Sequence, residues 1–124
     1  MNQSTPFDRK AVVYVAGHAG LVGSAMMRGL RRAGFKRLVY APRRELDLTD
    51  ASAVDDWFAK QRPEVVILCA ARVGGILANA TYPVDFLLHN LQIQNNVIEA
   101  AHRYDVDRLL FLGSSCIYPR EGPQ

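Results

Sequence analysis

The chain has 124 residues and is short of several things, and each shortage excludes a class of protein. It holds two cysteines, Cys69 and Cys116, 47 positions apart. Two are too few for a disulfide framework, and they lack the close spacing of a zinc site. The simple reading is a reduced, cytosolic chain. The three histidines, His18, His89 and His102, place no pair on one helical face at ligand spacing, so no metal site is expected. The longest apolar run, Val65 to Ala71, is far too short to cross a bilayer, and no membrane partner is expected. The opening MNQSTPFDRK has no apolar core of the kind a secretory signal carries. Residues 1–10 are therefore expected to be a polar, disordered lead-in. Low-complexity tracts and repeats of solenoid length are missing too. Net charge is +3, with arginines gathered between Arg28 and Arg44. They read as a solvated helix face, and no nucleic-acid partner is expected.

What remains is an ordinary globular composition, 49% hydrophobic and 22% charged, in a length that suits one domain. Ala11 to Gly17 is a valine-rich run of the kind a strand buried on both faces carries. Val22, Met26, Leu30 and Ala33 then follow helical spacing, and Gly34 can end that helix. Lys36–Ala41 reads as a second strand and Glu45–Asp50 as a short third strand or extended piece. Thr49 or Asp50 can cap a helix over Ala51–Gln61, which Pro63 ends. Glu64–Ala71 is a strong strand, and residues 72–83 read as a glycine-containing loop. A long helix is expected from Val84 to Tyr104, apolar at Phe86, Leu91, Val97, Ile98 and Ala101. Arg108–Ser115 then forms another buried strand, and residues 120–124 a loop tail. Such alternation predicts an α/β fold, a doubly wound parallel sheet in strand order 3-2-1-4-5 over residues 11–119. Its ligand would lie at the carboxyl ends of the strands.

Three constellations carry chemistry. Gly17, Gly20 and Gly23 stand three apart between the first strand and the first helix. A strand-to-helix turn of this kind lets the backbone approach a pyrophosphate at the positive end of the helix. The competing reading is a tight structural turn. Arg43 follows Gly23 by 20 residues, where a carboxylate commonly binds the ribose of NAD and an arginine accepts the 2′-phosphate of NADP. Its planar fork suits a phosphate, which points to NADP(H). In the alternative, Arg43 and Arg44 are merely exposed and Glu45 takes the ribose. Asp47 could accept from an adenine amino group, or belong to a helix-capping segment. Ser114 and Ser115 end a strand, where a hydroxyl can hydrogen-bond a substrate oxygen. No neighbouring base makes either a nucleophile. Cys116 reads from composition as a small core residue. His18 has a place inside the glycine turn, and the residues leave its role open.

Five stretches, AGHAGLVGSA, RRELDLTD, AARVGGILAN, YPVDFLLHN and LFLGSSCIYP, together resemble the GDP-L-fucose synthase family. These are NADPH-dependent 3,5-epimerase/4-reductases among the extended short-chain dehydrogenases/reductases, with a Rossmann-like fold. The resemblance runs from Val13 to Pro119. It implies that Gly17, His18, Ala19, Gly20, Leu21, Val22 and Gly23 hold the dinucleotide pyrophosphate. Arg43 would face the 2′-phosphate, and Asp47 and Leu48 the adenine. Ala70 and Ala71 would lie along the cofactor, with Leu112, Gly113, Ser114 and Ser115 near the nicotinamide ribose. Ser114 would bond the sugar C4 oxygen, and Cys116 would be the base of the epimerisation, against its reading as core. The substrate implied is the GDP-linked 4-keto-6-deoxymannose, and the long helix resembles one such enzymes use to form a homodimer. Two departures stand out. The family often carries an arginine where Ala19 stands, which leaves more to Arg43. Its Tyr-x-x-x-Lys pair is also not found: Tyr118 is followed four residues on by Gly122. The chain is thus expected to be the N-terminal, cofactor-binding portion of such an enzyme, unable to complete the reaction alone. The alternatives are a free-standing dinucleotide-binding module, or the same portion of a nucleotide-sugar 4-epimerase or 4,6-dehydratase.

Overall fold

A computed structural model describes residues 8–114 and 121–122. The elements run β1 (Val13–Ala16), α1 (Leu21–Arg32), β2 (Leu38–Val39), α2 (Ala51–Gln61), β3 (Val65–Leu68), α3 (Gly75–Thr81), α4 (Pro83–Arg103) and β4 (Arg108–Phe111). The strands form one sheet in the order β2-β1-β3-β4, every pairing parallel. Residues alternate between its faces, as the pleat requires. Val13, Val15, Val65 and Ile67 pack with Met27 and Phe35 on the α1 side. Tyr14, Ala16, Val66 and Leu68 pack with Val54 and Phe58 of α2 and Ile93 and Val97 of α4 on the other. A strand apolar at every position is what two such layers demand.

Local chemistry explains where the elements stop. Asp50 accepts from the N–H groups of Ser52 and Ala53 at 3.0 and 3.1 Å, capping α2. The end of α1 is a Schellman turn: Gly34, at φ +91°, donates to Arg31 and Phe35 donates to Leu30. Pro63 is preceded by Arg62 in the left-handed conformation, φ 46°, which closes α2. Proline at the start of α4 gives up an N–H the first turn would leave unpaired.

Four expectations change. Glu45–Asp50 is not a strand; removing it from the order 3-2-1-4-5 leaves the order observed. The side chain of Asp47 takes the N–H and hydroxyl of Thr49, at 3.0 and 2.7 Å, and this local turn wins over sheet pairing. Leu46 in that turn is buried, which is what made the segment look strand-like. Residues 72–83 are not all loop, because Gly75–Thr81 forms α3. Gly74 is fitted against the Phe86 ring, where a Cβ would stand 2.5 Å from Cζ, so the glycines start a helix rather than break one. β4 is exposed rather than buried, with Leu110 at 45% and Phe111 at 47%. Among the described residues β3 is its only strand neighbour. On α4, Leu91 and Ile98 face outward, and Ile93 and Ala100 are buried with Phe86, Val97 and Ala101. No helix among the described residues is long and apolar enough to cross a membrane.

Candidate functional site

Parallel register brings Ala16, Leu68 and Phe111 to one level. The chain therefore leaves β1, β3 and β4 along one edge. There a cleft of about 420 Å³ opens, lined by Gly17 and Gly20, by Arg43, Asp47 and Leu48, and by Ala70 and Ala71. With His89 and Ile93 of α4, segments from four separate stretches of sequence meet in it.

The glycine turn is sterically specified. Gly17 has φ +84°, and a Cβ there would lie 2.7 Å from the backbone nitrogen of Ala70. Only glycine lets β1 and β3 come together at that level. A Cβ on Gly23 would lie 1.9 Å from the Gly17 carbonyl oxygen, so Gly23 seats α1 on the turn. Gly20 differs: its Cβ would meet only the Gly17 oxygen, at 3.5 Å, and its open side faces the cleft. α1 has no side-chain cap and no acid in its first turn, so its positive end carries no carboxylate of its own.

Arg43 and Asp47 face each other across the exposed rim at 3.9 Å. Asp47 is held below the usual carboxylate range, first by the Thr49 hydroxyl, then by the Thr49 N–H and the charges of Arg43 and His89. Arg44 and Glu45 pair with each other at 3.7 Å and do not line the cleft, which leaves Arg43 as its basic group from this turn. Cys69 also borders the space, and burial pushes its thiol up.

Other residues singled out by sequence lie elsewhere. His18 lies against Tyr40, ring centroids 4.6 Å apart and the planes tilted by 36°, beside a separate depression that Arg28 and Arg31 also border. Ala19 is exposed in the turn, and Leu21 and Val22 open α1 at 90% and 47% exposure. Leu112, Gly113 and Ser114 continue β4 along the same edge but do not line the cleft. Ser115 and Cys116 lie outside the described residues.

Sequence reasoning missed Tyr14 of β1, Arg72 and Val73 after β3, and His89 and Ile93 of α4, all of which border the cleft. A signal for His89 was present: it stands four residues before Ile93 and eight before Val97, on their buried face. Asn90, next to it, clamps the loop after β3. It accepts from the Arg72 N–H at 2.7 Å and donates to the Arg72 carbonyl at 3.1 Å. The Arg72 guanidinium lies over the Phe86 ring at 4.8 Å. Among the described residues no group of histidine, cysteine or acidic side chains could hold a metal ion.

A parallel doubly wound sheet, with a glycine turn and a cleft at its carboxyl edge, is a Rossmann-like fold. The NAD dependent epimerase/dehydratase family matches residues 13–124, and the chain belongs to it. It is 54% identical over 121 residues to GDP-L-fucose synthase 1 of Arabidopsis thaliana, covering 98% of this chain and 38% of that protein. Against GDP-L-fucose synthase of Escherichia coli K12 the identity is also 54%, over 93% of this chain and 36% of that one. Among solved structures, the GDP-mannoheptose C4 reductase of Campylobacter jejuni with NADP bound superposes with a TM-score of 0.89 at 38% identity, covering 94% of this chain and 37% of that one. The chain thus spans little more than a third of the length of these relatives.

Proposed function

We propose that residues 11–119 form the cofactor-binding portion of an NADP(H)-dependent epimerase/reductase acting on a GDP-linked 4-keto-6-deoxy sugar in the cytoplasm. The observation that carries this reading is the cleft itself. A turn in which Gly17 and Gly23 tolerate no side chain faces the unpaired positive end of α1, with Arg43 on the opposite rim. That donor set suits a pyrophosphate at one end and a further phosphate at the other.

In this reading the turn from Gly17 to Gly23 and the first N–H groups of α1 bind the pyrophosphate. Arg43 binds the 2′-phosphate, Asp47 and Leu48 bound the adenine, and Ala70 and Ala71 flank the nucleotide. Bound NADPH would supply the hydride for reduction at the sugar C4. Leu112, Gly113, Ser114 and Ser115 would serve the nicotinamide end, with Ser114 offering its hydroxyl to the C4 oxygen and Cys116 removing the proton in epimerisation. The proton donor for C4 and most sugar contacts would come from residues beyond those of this chain. A second copy would pack on the outward stripe of α4, where Val84, Leu88, Leu91 and Ile98 are exposed.

Titration of the purified chain with NADPH and NADH tests the reading. Saturable binding with preference for NADPH is expected, and no NADPH oxidation with the GDP-linked keto sugar by these 124 residues alone. Failure to bind either dinucleotide would refute the site, and turnover by the chain alone would refute the division of labour.

A further inference from the structure

Tyr14 occupies the middle of β1 and is only 1% exposed. Its ring is fixed by Trp57 and Phe58, each at 5.7 Å between centroids, with Phe58 edge-on. Its hydroxyl makes no hydrogen bond to another described residue, yet it is not among the fully enclosed polar atoms left unpaired, so it keeps a contact with solvent. A phenol hydroxyl open at the floor of a cleft is satisfied by water, and a ligand that displaces that water must take over its bond. Burial also raises the pKa of Tyr14, so the group stays a neutral O–H that can donate. The residue lines the cleft, and the sliver left exposed opens there.

The surroundings define what this donor meets. Leu46 and Ile93 share its hydrophobic cluster, Ala41 and Leu48 pack against that cluster, and all four border the cleft. The walls are therefore apolar, with the Asp47 carboxylate at the rim. Between these apolar walls a phosphate would find no cationic partner, since Arg43 stands out at the exposed rim. A flat heterocycle with ring-nitrogen acceptors and an exocyclic amino donor fits it.

Resting on the reading of the cleft as a dinucleotide site, we propose that Tyr14 is a base-recognition residue, whose hydroxyl donates to a ring nitrogen of the adenine directly or through one water. Asp47 then accepts from the amino group on the other side. Nothing in the glycine turn or Arg43 performs this task, since they read phosphates.

Tyr14→Phe isolates the hydroxyl, because it keeps the ring and removes no hydrogen bond within the free protein. Binding of NADPH, NADH and AMP should weaken by one common factor, roughly three- to tenfold. The melting temperature of the ligand-free variant should hold or rise. Unchanged affinity for AMP in Tyr14→Phe would overturn the proposal, as would a fall in the ligand-free melting temperature, which would reveal a structural partner for the hydroxyl. A loss confined to NADPH would overturn it as well, since that is the mark of a 2′-phosphate contact. Wild-type protein that binds none of the three ligands would instead overturn the dinucleotide reading on which this rests.

Discussion

The three glycines of the turn look alike in sequence and do different work. Gly23 is hemmed in by the Gly17 carbonyl, so Gly23→Ala must move α1. A destabilisation of about 1–3 kcal/mol is expected by denaturant melting, as for other overpacked sites, with weaker NADPH binding as a consequence. Gly20→Ala meets only an ordinary contact at 3.5 Å within the protein. It should leave stability nearly unchanged and still reduce NADPH affinity, because its side chain enters the cleft. Equal effects of the two substitutions on the melt would refute this division. Arg43→Ala should weaken NADPH by roughly 10- to 100-fold, the range of a charge-assisted contact, and NADH little. Equal losses by calorimetry would refute the assignment. At this scale the glycines, Arg43 and Asp47 were legible because each is a polar or conformational exception at a fixed offset from a strand. Tyr14 was not, since it sits in an apolar run, and the spacing of His89 to Ile93 and Val97 marked its helix face without showing that this face meets the cleft.

Between elements, the seam of α2 and α4 is apolar within and charged at its rim. Val54, Phe58, Ile93 and Val97 bury the inside. Outside, Asp55 of α2 accepts from Arg103 and from the Tyr104 hydroxyl, while Arg103 also reaches Glu99. The Tyr104 hydrogen bond first, and Arg103 second, hold the Asp55 carboxyl below its ordinary range. A carboxyl depressed in the folded state adds stability above its unfolded pKa, about 3.9, and loses it as pH falls through the lower folded value. Asp55→Asn should therefore be less stable than wild type at pH 7, and the gap should close on acidification below about pH 4. Urea melts showing a constant gap from pH 7 to pH 3 would refute the role. Long elements with two-sided apolar content, β1, β3 and α4, were readable from spacing. Glu45–Asp50 was misread because a buried Leu46 in a side-chain-stabilised turn mimics the alternation of a strand. α3 was missed because glycines that fit against Phe86 look, in one dimension, like loop.

For the whole molecule, a ligand that binds only the folded state raises stability by about 2.7 kcal/mol at 100 times its Kd. NADPH at that excess should raise the melting temperature by on the order of 10 °C. NADH at the same concentration should give a smaller shift, and no shift with either would refute dinucleotide binding by the folded chain. The exposed apolar surface belongs to the same scale. β4 and the outward stripe of α4 have the composition of covered elements, yet stand in solvent among the described residues. Composition records what a segment is able to bury, and only the arrangement of neighbours says what covers it. By itself the sequence determined the parallel α/β class, the glycine turn and the basic residue beyond the second strand, because these depend on local periodicity and on backbone conformations that few residues adopt. The tertiary structure alone decided which distant side chains share the cleft. Parallel register brings the ends of β1 and β3 to one level, and packing of α4 on the sheet brings His89 and Ile93 to the cleft that Tyr14 also lines, a meeting whose sequence separation no local pattern encodes.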